Sequence, residues 1–185
     1  LDSLGELCRL DSADVCFVGN GPEHELLVGI EVKSVWDVLG SANTGRLQAT
    51  QLPAMLKAYD VPWLAYYGEY RAGRGGELQA RRGKVWKEFV IGKRAVPYGY
   101  LEAFLLDVVT LGVRVKHTQD VRQMAQGIGV CHRWWSKEWG KHKGMRTFDG
   151  SREVSLMPGM DTKTHLIASV ASKLPGVGFE RACAA

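Results

Sequence analysis

The sequence predicts an α/β protein with a mixed central sheet flanked by helices, and three observations carry that expectation. Residues 13–18 and 26–35 are apolar, strand-like stretches separated by the turn-rich "GNGPEHE", which reads as a hairpin. A helical pattern and a third apolar strand follow it. Helix-like and strand-like segments then alternate up to Trp139. At 185 residues, with 45% hydrophobic and 24% charged content, the chain can bury a sizeable core and does not have the composition of a disordered one.

In the first strand, "ADVCFV", Asp14 and Cys16 fall on one face and Val15 and Phe17 on the other. The return strand "LLVGIEVKSV" places Ile30 and Val32 on one face and Glu31 and Lys33 on the opposite one. Asp37 is expected to open a short helix that Gly45 breaks. A second helix is expected over 46–59, with Leu52, Met55, Leu56 and Tyr59 as its core stripe and Pro53 kinking or restarting it. "VPWLAYYG" at 61–68 suits a buried strand. The Gly- and Arg-rich 71–84 predicts a mobile surface loop, followed by a strand at 85–91. A helix over 100–111 ends at Gly112 and a strand follows at 113–117. Thr118 is expected to cap a helix running toward Trp139, with Asp120 in its first turn. Residues 141–164 read as a linker, which sets domain expectations of 1–140, 141–164 and 165–185.

The 24 basic and 20 acidic residues leave a net charge of +4. The excess is clustered: eight Lys or Arg stand between Arg71 and Arg94 against Glu77 and Glu88, and five between Arg133 and Arg146 against Glu138. Cys8, Cys16, Cys131 and Cys183 are scattered, with no C-x-x-C pair, so neither a zinc site nor a disulfide framework is expected. With no long apolar stretch and no signal-peptide pattern, the expectation is an intracellular protein without a membrane partner.

Asp14 lies on the strand paired with the one carrying Glu31 and Lys33, and side chains opposite one another across a ladder have Cβ atoms only about 5 Å apart. Two carboxylates that close call for a cation, and a divalent metal with oxygen ligands is the common solution. Magnesium there can activate a water for attack on phosphorus, with Lys33 holding that water or neutralising charge on the phosphate. The plain alternative is a surface Glu–Lys pair.

The surrounding residues resemble the XPF-type structure-specific endonucleases, whose restriction-endonuclease-like core reads approximately Gly-Asp-Tyr, Glu-Arg-Lys-x-x-x-Asp-Leu and Ser-x-x-x-Gly-Arg-Leu. "SADVCF" resembles the first part with Asp14 as its acid. "IEVKSVWDVLGS" resembles the second, with Glu31, Lys33 and Asp37 in register. "NTGRLQATQL" resembles the third, with Gly45, Arg46 and Leu47 in place. The likeness covers roughly residues 10–70. Val32 stands where the family has Arg and Ala13 where it has Gly, and the gap from Asp14 to Glu31 is longer than usual. Gln51 is one place beyond the family's Gln, and the upstream Asp-x-Arg-Glu motif is absent, leaving Asp2, Glu6 and Asp11 before Asp14.

The resemblance implies a Mg2+-dependent endonuclease, with Mn2+ as a substitute ion, acting on branched, flap or junction DNA. Asp14 and Glu31 are its expected metal ligands, and Lys33 and Asp37 complete the expected catalytic set. Arg46 and Gln51 are expected to face the phosphate. Arg74, Arg81, Arg82 and Lys84 are expected to meet the DNA backbone. "LPGVGFERA" at 174–182 resembles the hairpin of a helix-hairpin-helix motif, whose Gly176 and Gly178 would present backbone amides to phosphates. Relatives work as dimers, which implies a homodimer or a pairing with a related subunit. The rival expectation is a catalytically inactive DNA-binding subunit that supports a partner.

Overall fold

The structure, a computed structural model, describes residues 9–142. The hairpin forms as expected from strands β1 (Val15–Asn20) and β2 (Glu25–Ser34), paired antiparallel with Val15 opposite Ile30 and Asn20 opposite Glu25. Helix α1 (Val35–Asn43) follows without a loop. Its N-cap is Ser34, whose hydroxyl accepts from the Asp37 amide, so the helix starts earlier than the sequence suggested and Asp37 lies in its first turn. Gly45, at φ +71°, ends it in the left-handed conformation that glycine adopts without a Cβ penalty.

The expected 46–59 helix is present in two pieces. A π-helical turn at Leu47–Gln51 runs into α2 (Leu52–Ala58), and Pro53 sits in the first turn of α2, where the hydrogen-bond pattern changes. Strand β3 (Val61–Tyr67) pairs parallel with β2. Strand β9 (Arg114–Thr118), preceded by helix α3 (Gly99–Thr110) and followed by helix α4 (Val121–Trp135), pairs parallel with β3. The sheet order is β1-β2-β3-β9, the mixed sheet flanked by helices that the sequence predicts. Asp120 rather than Thr118 is the N-cap of α4, accepting from the Gln123 amide at 2.8 Å, because Thr118 is still paired in β9.

Each sheet face buries its own cluster. Val28, Ile30, Val61 and Ala65 pack with Met124 and Trp135 of α4. On the other side Leu64 and Tyr66 join Val35, Val38 and Leu39 of α1 and Leu101, Phe104 and Val108 of α3. Gly29 lies against the Tyr59 ring, where a Cβ would collide. No helix among the described residues is long and apolar enough to cross a membrane.

The segment 71–84 departs from the expectation of a mobile loop. It is folded into an antiparallel meander of β4 (Tyr70–Ala72), β5 (Leu78–Arg82) and β6 (Val85–Glu88), and the expected strand at 85–91 is divided between β6 and β7 (Val90–Ile91), which pairs with β8 (Arg94–Ala95). The cause is Leu78 and Ala80, both 0% exposed in the same core cluster as α1 and α3. Trp36 of α1 fastens the meander further by donating its indole N–H to the Arg81 carbonyl at 3.1 Å. The hairpin with Gly176 and Gly178, and nearly all of the expected linker, lie outside the described residues.

Leu78→Ala should therefore lower the unfolding free energy by about 2–5 kcal/mol, as for other fully buried leucines, measured by urea titration. A stability change under about 1 kcal/mol would mean that the meander does not share the core.

Candidate active site

Past the end of the β1–β2 ladder, Asp14 extends the pairing with its own side chain. Its amide donates to the Ile30 carbonyl at 2.9 Å, and its Oδ2 accepts from the Val32 amide at 2.7 Å. The carboxylate thereby takes the place of a strand carbonyl and is held opposite Glu31. The turn into this position is strained: Ala13 has φ +72°, the one non-glycine residue with positive φ among the described residues. A glycine at that motif position would remove the strain, which supplies a physical reason for the residue the resemblance anticipates there.

Glu31 is 7% exposed and is the buried charged residue among those described. Such a carboxylate needs partners. Lys33 Nζ stands 2.8 Å from Glu31 Oε1, and Gln51 Nε2 donates to the same oxygen at 2.7 Å. Strand period two brings Lys33 to Glu31, while the turn at Leu47–Gln51 brings Gln51 across from the helical layer. The Gln51 Oε1 is buried and has no partner. An open cleft of about 320 Å3 is lined by Asp14, Glu31, Arg46 and Gln51, and by Asp11, Ser12 and Thr50 among others. The structure thus gathers four of the six expected core residues into one cleft and sets Lys33 against its floor.

Asp37 is placed differently. Its Oδ2 accepts from the Ser34 hydroxyl at 2.6 Å while Ser34 caps α1, so its carboxylate serves the helix start and does not line the cleft. Among the described residues no group of three or more His, Cys, Asp or Glu side chains is arranged to hold a metal. Any cation in this cleft would rest on the Asp14 and Glu31 pair, with water or Gln51 Oε1 filling other positions. Asp11, one of the acids left in place of the absent upstream motif, also lines the cleft, and so does Thr50, which was not expected; the helical spacing of Thr50 to Arg46 is the signal that could have found it.

Beside the site, register places Lys33 next to Tyr66 and Tyr66 next to His117, all toward the carboxyl ends of parallel strands, where open α/β sheets hold ligands. The Tyr66 and Tyr70 hydroxyls share a hydrogen bond of 3.2 Å, and Tyr70 donates to Glu102 Oε1 at 3.4 Å. His117 stacks on Tyr66 with ring centroids 4.7 Å apart. Burial first, then the hydrogen bond to Tyr70, pushes ionisation of Tyr66 well above its ordinary value. Arg74, Arg82 and Lys84 are exposed on the meander, away from this cleft, and Arg81 is tied to both oxygens of Glu69 at 2.7 and 2.9 Å.

Ala13→Gly should raise stability by about 0.5–1 kcal/mol, since relief of a left-handed alanine outweighs the added freedom of the unfolded chain; a destabilised variant in urea titration would refute the strain. Tyr66 supplies a pH test. Its raised folded value favours the neutral phenol, so its contribution is whole below about pH 10 and is lost as pH rises above it. Unfolding free energy should fall above pH 10, and Tyr66→Phe should lessen that slope; an identical slope in the variant would count against the assignment.

No protein-family model matches the chain, and no curated protein matches it. Among solved structures the chain is similar to XPF from Aeropyrum pernix, with 19% identity and a TM-score of 0.44 over 84% of this chain and 75% of that one. A likeness of that size assigns no role to any residue here.

Proposed function

We propose that the protein is a metal-dependent endodeoxyribonuclease acting on branched DNA. The observation that carries this reading is the placement of the Asp14 and Glu31 carboxylates in one open cleft with Arg46 and Gln51, while Lys33 lies against Glu31. Asp14 keeps Oδ1 and Glu31 keeps Oε2 beyond the hydrogen bonds described, and the buried Gln51 Oε1 has no partner. These are hard oxygen donors. They fit Mg2+, or Mn2+ in its stead, because magnesium is usually held by one or two carboxylates and keeps several waters. When bound, the ion supplies Lewis-acid activation of water and charge stabilisation at the phosphate.

The chain's own residues do the rest. Lys33 carries a positive charge beside the carboxylate that would hold the ion, where it can orient the attacking water and neutralise charge developing on the phosphate. Arg46, exposed at the cleft mouth, suits a phosphate oxygen of the backbone. Gln51 fixes the Glu31 carboxylate from the helical side, which makes it a positioning residue. Asp37 acts through Ser34 by setting the direction in which α1 leaves the strand. The reading also includes a helix-hairpin-helix region with Gly176 and Gly178 on DNA, and a dimer or related partner subunit, both from resemblance.

A second reading, an inactive DNA-binding subunit, is favoured by one feature: Lys33 and Gln51 both engage the same Glu31 oxygen, so the carboxylate is already partnered without a metal.

Cleavage of a labelled fork with magnesium, with manganese and with EDTA separates the two. Asp14→Asn, Glu31→Gln and Lys33→Ala should each reduce cleavage by at least about a hundredfold while fork binding in EDTA changes little. Wild-type cleavage in any of the three would place the chemistry elsewhere. A wild-type protein that binds the fork and never cuts it would establish the second reading.

A further inference from the structure

Away from the cleft, the outward face of the meander is where cationic, aromatic and polar groups converge. Residues directly opposite in an antiparallel ladder share a face. Arg71, Gln79 and Glu88 therefore form one row and Arg81 and Trp86 the next, on the side opposite the buried Leu78 and Ala80. The Arg71 guanidinium lies 4.1 Å over the Trp86 ring and is held there by Nε, which donates to Gln79 Oε1 at 3.0 Å. Beside it opens a cleft of about 460 Å3 lined by Arg71, Ala72, Gly73, Arg74, Glu77 and Gln79. The Glu77 carboxylate is spent on the turn, accepting from the Gly75 amide at 2.9 Å and from Gln79 Nε2 at 3.0 Å. Arg81 is spent on Glu69. Arg74, Arg82 and Lys84 form no ion pair among the described residues and are exposed.

We propose that this face binds single-stranded DNA, with an unpaired base stacked on the Arg71–Trp86 pair and the flanking phosphates on Arg74 and Lys84 at the turns. The inference rests on the DNA substrate of the proposed function and deepens it by naming what the meander holds. A paired base hides its π-face within the duplex stack, whereas every unpaired base offers one to an aromatic ring or a guanidinium plane. A sheet face with an aromatic and an arginine at its centre and unpaired cations at its turns matches that chemistry. Duplex recognition by charge alone would leave the indole without a role.

The test measures anisotropy of a labelled oligothymidine of about ten nucleotides, and of a duplex of equal length, with the full chain in EDTA at several salt concentrations. Trp86→Ala should weaken single-strand binding about tenfold, leave duplex binding unchanged and leave the salt slope unchanged. Trp86→Phe should retain most of the affinity. Arg74→Ala combined with Lys84→Ala should instead lower the salt slope by about 0.7 per lost phosphate contact on the single strand. Unchanged single-strand affinity in a folded Trp86→Ala, or an equal loss on both substrates, would overturn the proposal. If Trp86→Ala fails to fold by circular dichroism, Arg71→Gln decides, since Arg71 is exposed: a several-fold loss on the single strand supports the platform, and none overturns it. Tighter binding of the corresponding RNA would overturn the assignment to DNA. Single-strand binding through Trp86 in a protein that cuts nothing with magnesium would defeat the nuclease reading and leave this one standing.

Discussion

The buried carboxylate of Glu31 is the constraint on which the site depends. A charged group only 7% exposed, on a central strand, is tolerated where hydrogen bonds and an opposite charge compensate its lost hydration. Lys33 comes from the same strand face, but Gln51 comes from the helical turn at Leu47–Gln51, so satisfying Glu31 ties β2 to the layer above it. That tie fixes where Arg46 stands at the cleft mouth. From the other side Asp14 is held by the Val32 amide, which follows Glu31 in the chain. The second carboxylate is thus located by the backbone of the strand that carries the first, and the spacing of the pair is a property of the sheet rather than of a flexible loop.

Much of this arrangement was legible in the sequence because strand period two is strict. Once "LLVGIEVKSV" is read as a strand, Glu31 and Lys33 must share a face, and the Gly/Asn/Pro turn sets Asp14 opposite them. Arg46 and Gln51 were readable as residues of one helical segment near the strand end and were expected to face a phosphate, whereas the contact of Gln51 with Glu31 was not read. The placement of Asp37 was not legible, because the sequence does not show that the Ser34 hydroxyl caps α1 and donates to the Asp37 carboxylate. The left-handed conformation of Ala13 could not be read from the residue itself. Alanine carries no signal for positive φ, so only an anticipated glycine at that place pointed to it.

The meander shows why composition misled where pattern would have served. Glycine and arginine in 71–84 suggest a loop, yet Gly76 and Gly83 have φ +83° and +65° and sit at the turns between strands. They punctuate hairpins and do not signal disorder. Within "LQARR" the alternation of Leu78 and Ala80 with Gln79 and Arg81 is a short strand pattern, with one face buried and the other wet. Five residues of alternation are a weak signal beside fourteen residues of biased composition, and only the core position of Leu78 resolves the conflict.

Charge follows the same logic. The net +4 describes the chain poorly, because several charges are consumed in place: Lys33 by Glu31, Arg81 by Glu69 and Lys141 by Glu138. What can act on a polyanion is the remainder, which on the meander includes Arg74, Arg82, Lys84 and Lys87, with Arg74 lining the cleft beside Arg71. Screening confines such a group to about 8–10 Å at ordinary salt, so it works by contact and not by long-range steering. A surface of this kind gains specificity from the flat aromatic and guanidinium groups at its centre, since the surrounding cations treat every phosphate alike. The two regions thus differ in the chemical groups they present. The cleft concentrates oxygen donors suited to a hard cation, while the meander concentrates donors suited to bases and phosphates.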